Sequence, residues 1–125
     1  MKRLQLLRFG NPEEVIALNE VPEPALKAGE VLVKLEAAPI NPSDFLLVKG
    51  YYGLNPSFPF NLGAEGVGRV VTIGDKVDKA LQGKRVLVLP TSESGTWADH
   101  LVATPKQLVP VPEEAEWGSL KEKSH

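Results

Sequence analysis

Val31-Leu32-Val33-Lys34-Leu35-Glu36-Ala37 runs without a break into Ala38-Pro39-Ile40-Asn41-Pro42-Ser43-Asp44-Phe45-Leu46-Leu47-Val48-Lys49-Gly50-Tyr51-Tyr52-Gly53. In the first part, Val31, Val33, Leu35 and Ala37 alternate with Leu32, Lys34 and Glu36, the period of a half-buried β-strand. In the second, Asn41 fits a helix N-cap, Pro42 the first helical position and Asp44 the place of a capping-box acid. Phe45 and Val48 then share one helical face, and Gly50 is placed to stop the helix. Capping accounts for these residues without any function. It leaves Tyr51 and Tyr52, set between two glycines just past the stop. A tyrosine hydroxyl, with pKa near ~10, donates a proton when a neighbouring hydroxyl or charge assists it. The plainer reading is a loop aromatic packed on the core. Of the two, Tyr52, followed by Gly53, is better placed to be presented.

Outward from this stretch the chain is punctuated by 11 prolines and 11 glycines, with short apolar runs between them. That rhythm predicts a β-rich domain with many turns and one short helix. Leu4 to Phe9 and Val15 to Val21 read as the first two strands, joined by Gly10-Asn11-Pro12. Val67, Val71 and Ile73 mark a later strand. Val86 to Leu89 is continuous enough to be buried on both faces, Trp97 to Ala103 alternates again, and Leu108 to Val111 closes the series. Asn55 to Asn61 reads as an irregular loop. From Glu113 onward the chain is charged and nearly core-free, either a helix leaving the domain or a tail.

At 125 residues the chain is long enough for one domain with its own core. A formal net charge of −2 gives no electrostatic case for nucleic acid or an anionic membrane surface. The absence of cysteine excludes disulfides, thiolate catalysis and Cys-based zinc sites. With His100 and His125 the only imidazoles, no metal is expected. The N-terminal residues resemble neither a signal peptide nor a membrane span, so a cytoplasmic protein is expected, a mitochondrial matrix protein less so.

Three further motifs have plain readings. Gly63-Ala64-Glu65-Gly66-Val67-Gly68 suggests a phosphate loop, but Arg69-Val70-Val71 continues it as strand and no third glycine follows. Close backbone packing or a bulge at a barrel corner is expected instead. Ser92, Ser94, Asp99 and His100 suggest hydrolysis, but there is no G-x-S-x-G elbow, and Asp99 and His100 are expected on opposite faces of one strand. Trp97, after Gly95-Thr96, is expected in the core or in a pocket wall.

In their order and spacing, five blocks resemble the N-terminal catalytic domain of the zinc-independent medium-chain dehydrogenase/reductase superfamily. They are Gly29-Glu30-Val31-Leu32-Val33-Lys34, Ala38-Pro39-Ile40-Asn41-Pro42-Ser43-Asp44, Gly63-Ala64-Glu65-Gly66-Val67-Gly68, Gly83-Lys84-Arg85-Val86 and Gly95-Thr96-Trp97. The resemblance covers residues 1–112 and implies a GroES-like, partly open β-barrel, mainly β with short helices. Residues 113–125 fall outside it. Asn-Pro-Ser-Asp followed by Gly-Tyr-Tyr-Gly is most similar to mitochondrial-type trans-2-enoyl thioester reductases, with quinone oxidoreductases next. The resemblance implies NADPH as reductant, an enoyl thioester or quinone as substrate, and Tyr52 as proton donor. It places Asn41 on the nicotinamide side, and Asp44 and Trp97 beside the substrate. Zinc-dependent relatives carry a histidine where this chain has Ala64, which again argues against zinc. Family members continue into a Rossmann domain and then return to the first. The 125 residues contain neither part, which predicts little activity alone, no tight NADPH binding, and exposed barrel edges that favour a homodimer.

Overall fold

The computed structural model describes residues 1–23, 25–38, 47–50, 58–89 and 95–112. Eight strands form there: β1 (Lys2–Leu6), β2 (Ile16–Glu20), β3 (Val31–Ala37), β4 (Phe60–Asn61), β5 (Gly66–Ile73), β6 (Arg85–Val88), β7 (His100–Ala103) and β8 (Leu108–Pro110). A single helical turn, α1 (Pro12–Val15), links β1 to β2, and 3-10 turns cover Lys79–Leu81 and Pro105–Gln107. One sheet has the order β2-β1-β4 and the other β7-β3-β5-β6-β8. Every pairing is antiparallel and neither sheet closes on itself. The result is the partly open, mainly β barrel expected from the sequence.

β3 is the central strand of the larger sheet and lies where the alternation predicts it. Its first half departs from simple alternation. Leu32 is buried along with Val31 and Val33, on a stretch paired with β5 on one edge and β7 on the other. The main core joins Val31 and Val33 to Val70, Val86, Val88 and Leu101. Each such side chain contributes about 1.5–3 kcal/mol on burial. β6 carries Val86, Leu87 and Val88, all buried, so it is covered on both faces as its continuous apolar run predicts.

Two register shifts bend the β3–β5 pair. Leu32 pairs with Thr72 but Val33 with Val70, leaving Val71 as an extra residue; Leu35 pairs with Gly68 but Ala37 with Val67, leaving Glu36 extra. The first shift changes the phase of β5. It buries Val70 completely, where the sequence pattern Val67, Val71, Ile73 favours the other parity. A bulge of this kind resets which side chains face the core.

The first strand ends at Leu6 rather than Phe9, and the second starts at Ile16 rather than Val15. Between them Asn11 and Pro12 start α1. The Asn11 carbonyl accepts from Glu14 N at 2.9 Å and Val15 N at 3.1 Å. Asn11-Pro12 is the same residue pair on which a helix start was expected at Asn41-Pro42, which lies outside the described residues. In the second cluster, Leu6, Val15, Leu47, Val48 and Leu62 are buried together. Residues 47–49 are helical, and Gly50 stops them with φ 84° while its N–H donates to Leu47 O at 3.0 Å.

Candidate functional site

Gly63 and Gly95 build the described part of the site. Both have positive φ, 97° and 65°, and the Gly63 carbonyl accepts from Gly95 N at 2.9 Å and Thr96 N at 3.2 Å. Trp97 N donates to Leu62 O at 3.0 Å, and Trp97 O accepts from Leu4 N at 2.8 Å. A Cβ on Gly63 would run into Thr96 Oγ1 and lie 2.6 Å from Trp97 N. The left-handed glycine therefore lets residues 95–97 lie directly on residues 62–63, stitched between β1 and β4.

This placement turns Trp97 toward the second core cluster and makes it one wall of a cavity of about 370 Å³. Leu4, Leu35, Glu36, Ala37, Ala38, Thr96 and Ala98 line the rest. The volume is at the lower end of small-molecule cavities, ~300–1,000 Å³. Its lining is apolar apart from Glu36, which pairs with Arg85 at 3.5 Å, and the Thr96 hydroxyl. Thr96 is 1% exposed, and its Oγ1 has no hydrogen-bond partner among the described residues. The sequence signal for Thr96 is its place in Gly95-Thr96-Trp97, but the close approach of its hydroxyl to Gly63 is not local.

A charged group borders this region. Arg3 donates from its guanidinium to Gly95 O at 3.1 Å, while its Nε is buried without a partner among the described residues. Burial lowers the Arg3 pKa, and the charge of Asp99 opposes that effect. Asp99 and His100 do not point apart as expected. Asp99 sits in a bend before β7, and its Oδ1 lies 3.2 Å from His100 Nδ1 while Oδ2 accepts from Lys2 N at 3.0 Å. Desolvation, the largest single influence, raises the Asp99 pKa, but the Lys2 N–H, the His100 hydrogen bond and charge, and the N-terminal charge together outweigh it, and the net shift is downward. Strand alternation fails here because Asp99 is not yet in the strand.

The glycine block behaves as packing, as its sequence suggests. A Cβ on Gly66 would stand 2.9 Å from Ala37 O, and one on Gly68 would collide with Lys34 O. β3 occupies the space that a phosphate would need. Asn41, Asp44 and Tyr52, together with Ser92 and Ser94, lie outside the described residues; Trp97 is the one proposed site residue within them. Among the described residues, no group of three His, Cys, Asp or Glu is placed to hold a metal ion. None of their helices is long and apolar enough to cross a membrane.

Residues 27–113 match the family model of the alcohol dehydrogenase GroES-like domain. The chain belongs to this family. The GroES-like domain is 39% identical over 106 residues to the mitochondrial enoyl-acyl-carrier-protein reductase of Rattus norvegicus, covering 84% of this chain and 28% of that protein. It is 30% identical over 113 residues to a quinone oxidoreductase of Mus musculus, covering 90% of this chain and 34% of that protein. A Bacillus thuringiensis crystal structure assigned as a candidate NADPH:quinone reductase superposes with a TM-score of 0.83 at 36% identity, covering 92% of this chain and 34% of that chain. The GroES-like domain thus spans about a third of the length of these relatives or less.

Proposed function

We propose that residues 1–112 are the substrate-side domain of an NADPH-dependent enoyl thioester reductase, with Tyr52 as the proton donor. The observation that carries this reading is the 39% identity to the rat mitochondrial reductase across most of the chain. Tyr52 delivers a proton to the α-carbon after reduction at the β-carbon. Asn41 stands on the nicotinamide side, and Asp44 and Trp97 border the substrate. The Trp97 wall and the apolar cavity beside it are consistent with an acyl substrate.

The described residues do not fit the pyrophosphate of NADPH. Gly66 and Gly68 are closed off by β3, and the sequence holds no G-x-G-x-x-G unit. The 125-residue chain alone is therefore expected to bind NADPH weakly and to reduce crotonyl thioester slowly or not at all. Calorimetry and an NADPH-oxidation assay test this, and robust turnover by the chain alone would overturn the proposed division of the site.

The positive test is a chimera in which residues 1–112 replace the matching segment of the rat reductase. It should reduce crotonyl thioester, and Tyr52→Phe should lower kcat roughly 10²–10⁴-fold. A folded chimera that binds NADPH yet reduces only quinones would favour the second oxidoreductase reading, which the mouse quinone oxidoreductase supports. A non-catalytic, self-associating unit is a third reading, motivated by the open sheet edges and by Leu18, 63% exposed on edge strand β2. A monomer by sedimentation counts against it.

A further inference from the structure

Residues 95–103 join the two sheets. Leu4 N donates to Trp97 O at 2.8 Å, Asp99 N donates to Lys2 O at 3.0 Å, and Arg3 pairs with Ala98 between them. This first part lies along β1 of the smaller sheet. Asp99 O then accepts from Leu35 N at 2.8 Å and His100 pairs with Lys34, so the second part lies along β3 of the larger sheet. The two backbone groups of Asp99 bond to different sheets, which makes a corner where the chain changes sheet at a bend. The cavity lies at this corner. Leu4 lines it from β1, Leu35 to Ala37 from β3, and Thr96 to Ala98 from the crossing segment. The path of that segment therefore sets the spacing between the walls.

Side chains tie the first part of the segment to β1 at both ends. Asp99 Oδ2 accepts from Lys2 N at 3.0 Å, and Arg3 donates to Gly95 O at 3.1 Å. The Arg3 tie is a poor device for stability. Among the described residues its guanidinium bonds to a carbonyl and to no carboxylate, and its Nε is buried without a partner. Burying part of a cation without full hydrogen bonding has a cost that an apolar side chain of similar length avoids. What the arginine does achieve is local: it grips the chain two residues before Trp97.

We infer that Arg3 is a positioning residue for the cavity, holding the crossing segment on β1 so that Trp97 keeps its place in the wall. The consequence for substrate binding rests on the reductase reading above; the positioning of Trp97 does not. The chain has two tryptophans, so Trp117→Phe leaves Trp97 as the single indole reporter.

In that background Arg3→Met, which keeps an apolar stem and loses the guanidinium, should raise acrylamide quenching of Trp97 roughly twofold through local opening. Its urea stability should equal or exceed that of the parent. Arg3→Lys, which keeps a cationic donor, should restore part of the protection, and Arg8→Met at an exposed position of the same strand exit should leave quenching unchanged. Unchanged quenching in folded Arg3→Met overturns the proposal. A rise that comes only with lost urea stability assigns Arg3 to the fold and overturns it too. If Arg3→Met fails to fold, Arg3→Gln takes its place, and failure of both to fold has the same meaning. In the chimera, Arg3→Met should raise KM for crotonyl thioester roughly 5–20-fold, with kcat and KM for NADPH unchanged. If the chimera reduces only quinones, the enoyl reading fails and the quenching result still decides the role of Arg3.

Discussion

Gly68→Ala tests whether the glycines of the Gly66-Val67-Gly68 unit exist for strand packing. The added Cβ would collide with Lys34 O, approach Val33 Cγ1 to 2.8 Å and stand 3.1 Å from Leu35 Cα. Two of these three neighbours are backbone atoms of β3, which cannot rotate away. Val33 is 0% exposed, so its side chain has nowhere to go. The β3–β5 pair must open at the bulge or the larger sheet must shift. Overpacking of a core costs about 1–3 kcal/mol, and backbone neighbours put this case at the top of that range. For a domain of this size, about 3 kcal/mol lowers Tm by roughly 10–20 °C. Gly83→Ala is the control, with φ 79° but no atom within 4 Å of the new Cβ; its cost is the backbone conformation alone, about 1 kcal/mol. Urea and thermal unfolding followed by circular dichroism measure both. If Gly68→Ala unfolds within about 0.5 kcal/mol of the parent, or Gly83→Ala is the more damaging, the packing account of the block is wrong.

Thr96→Val replaces a buried hydroxyl that has no partner among the described residues with a methyl of the same shape, so it should be neutral or stabilising by about 1 kcal/mol in urea unfolding; a loss of stability would reveal a partner for the hydroxyl. Trp97→Ala should cost about 2–3 kcal/mol, less than the ~3–5 expected for a fully buried ring, because Trp97 is only half-buried; a near-zero cost in the same assay would remove it from the second cluster. Asp99→Asn tests the acid limb of stability. The folded-state pKa of Asp99 lies below the unfolded value near ~3.9, so its contribution is present above that value and is lost as pH falls through the folded value. The stability gap between parent and variant should therefore narrow as pH falls below about 5 and on through the folded-state value, and a constant gap would refute the assignment.

What the sequence revealed was local. β3 and β6 were legible because their apolar periods are set by neighbours along the same strand. The glycine block was legible because Arg69-Val70-Val71 continues as strand. Three features were not. The phase of β5 turns on Val71, an extra residue visible only once β3 is opposite it. The turn at Pro12 carries the same Asn-Pro signature as Asn41-Pro42, but it was hidden between two strand-like runs. The contact between Asp99 and His100 required knowing that the strand starts at His100, three residues later than Trp97. Of the candidate site, Trp97 could be read as a wall from its size and its glycine neighbour. The Thr96 hydroxyl and the guanidinium of Arg3 gain their meaning from residues 33 and 92 positions away, Gly63 and Gly95, and no local pattern encodes that.

Across the smaller sheet, Asn19 Nδ2 donates to Gln5 Oε1 at 2.8 Å, and Gln5 Nε2 donates to Asn61 Oδ1 at 2.9 Å. The row has a direction, each amide giving a hydrogen to the next, and chemical ageing should not treat its members alike. Deamidation at Asn61 leaves an oxygen where an oxygen already accepts, so the row survives it. At Asn19 the same lesion removes the first donor and sets a carboxylate against the Gln5 oxygen. Old preparations of the protein should therefore tolerate damage at one end of the row and loosen strand β2 when it strikes the other.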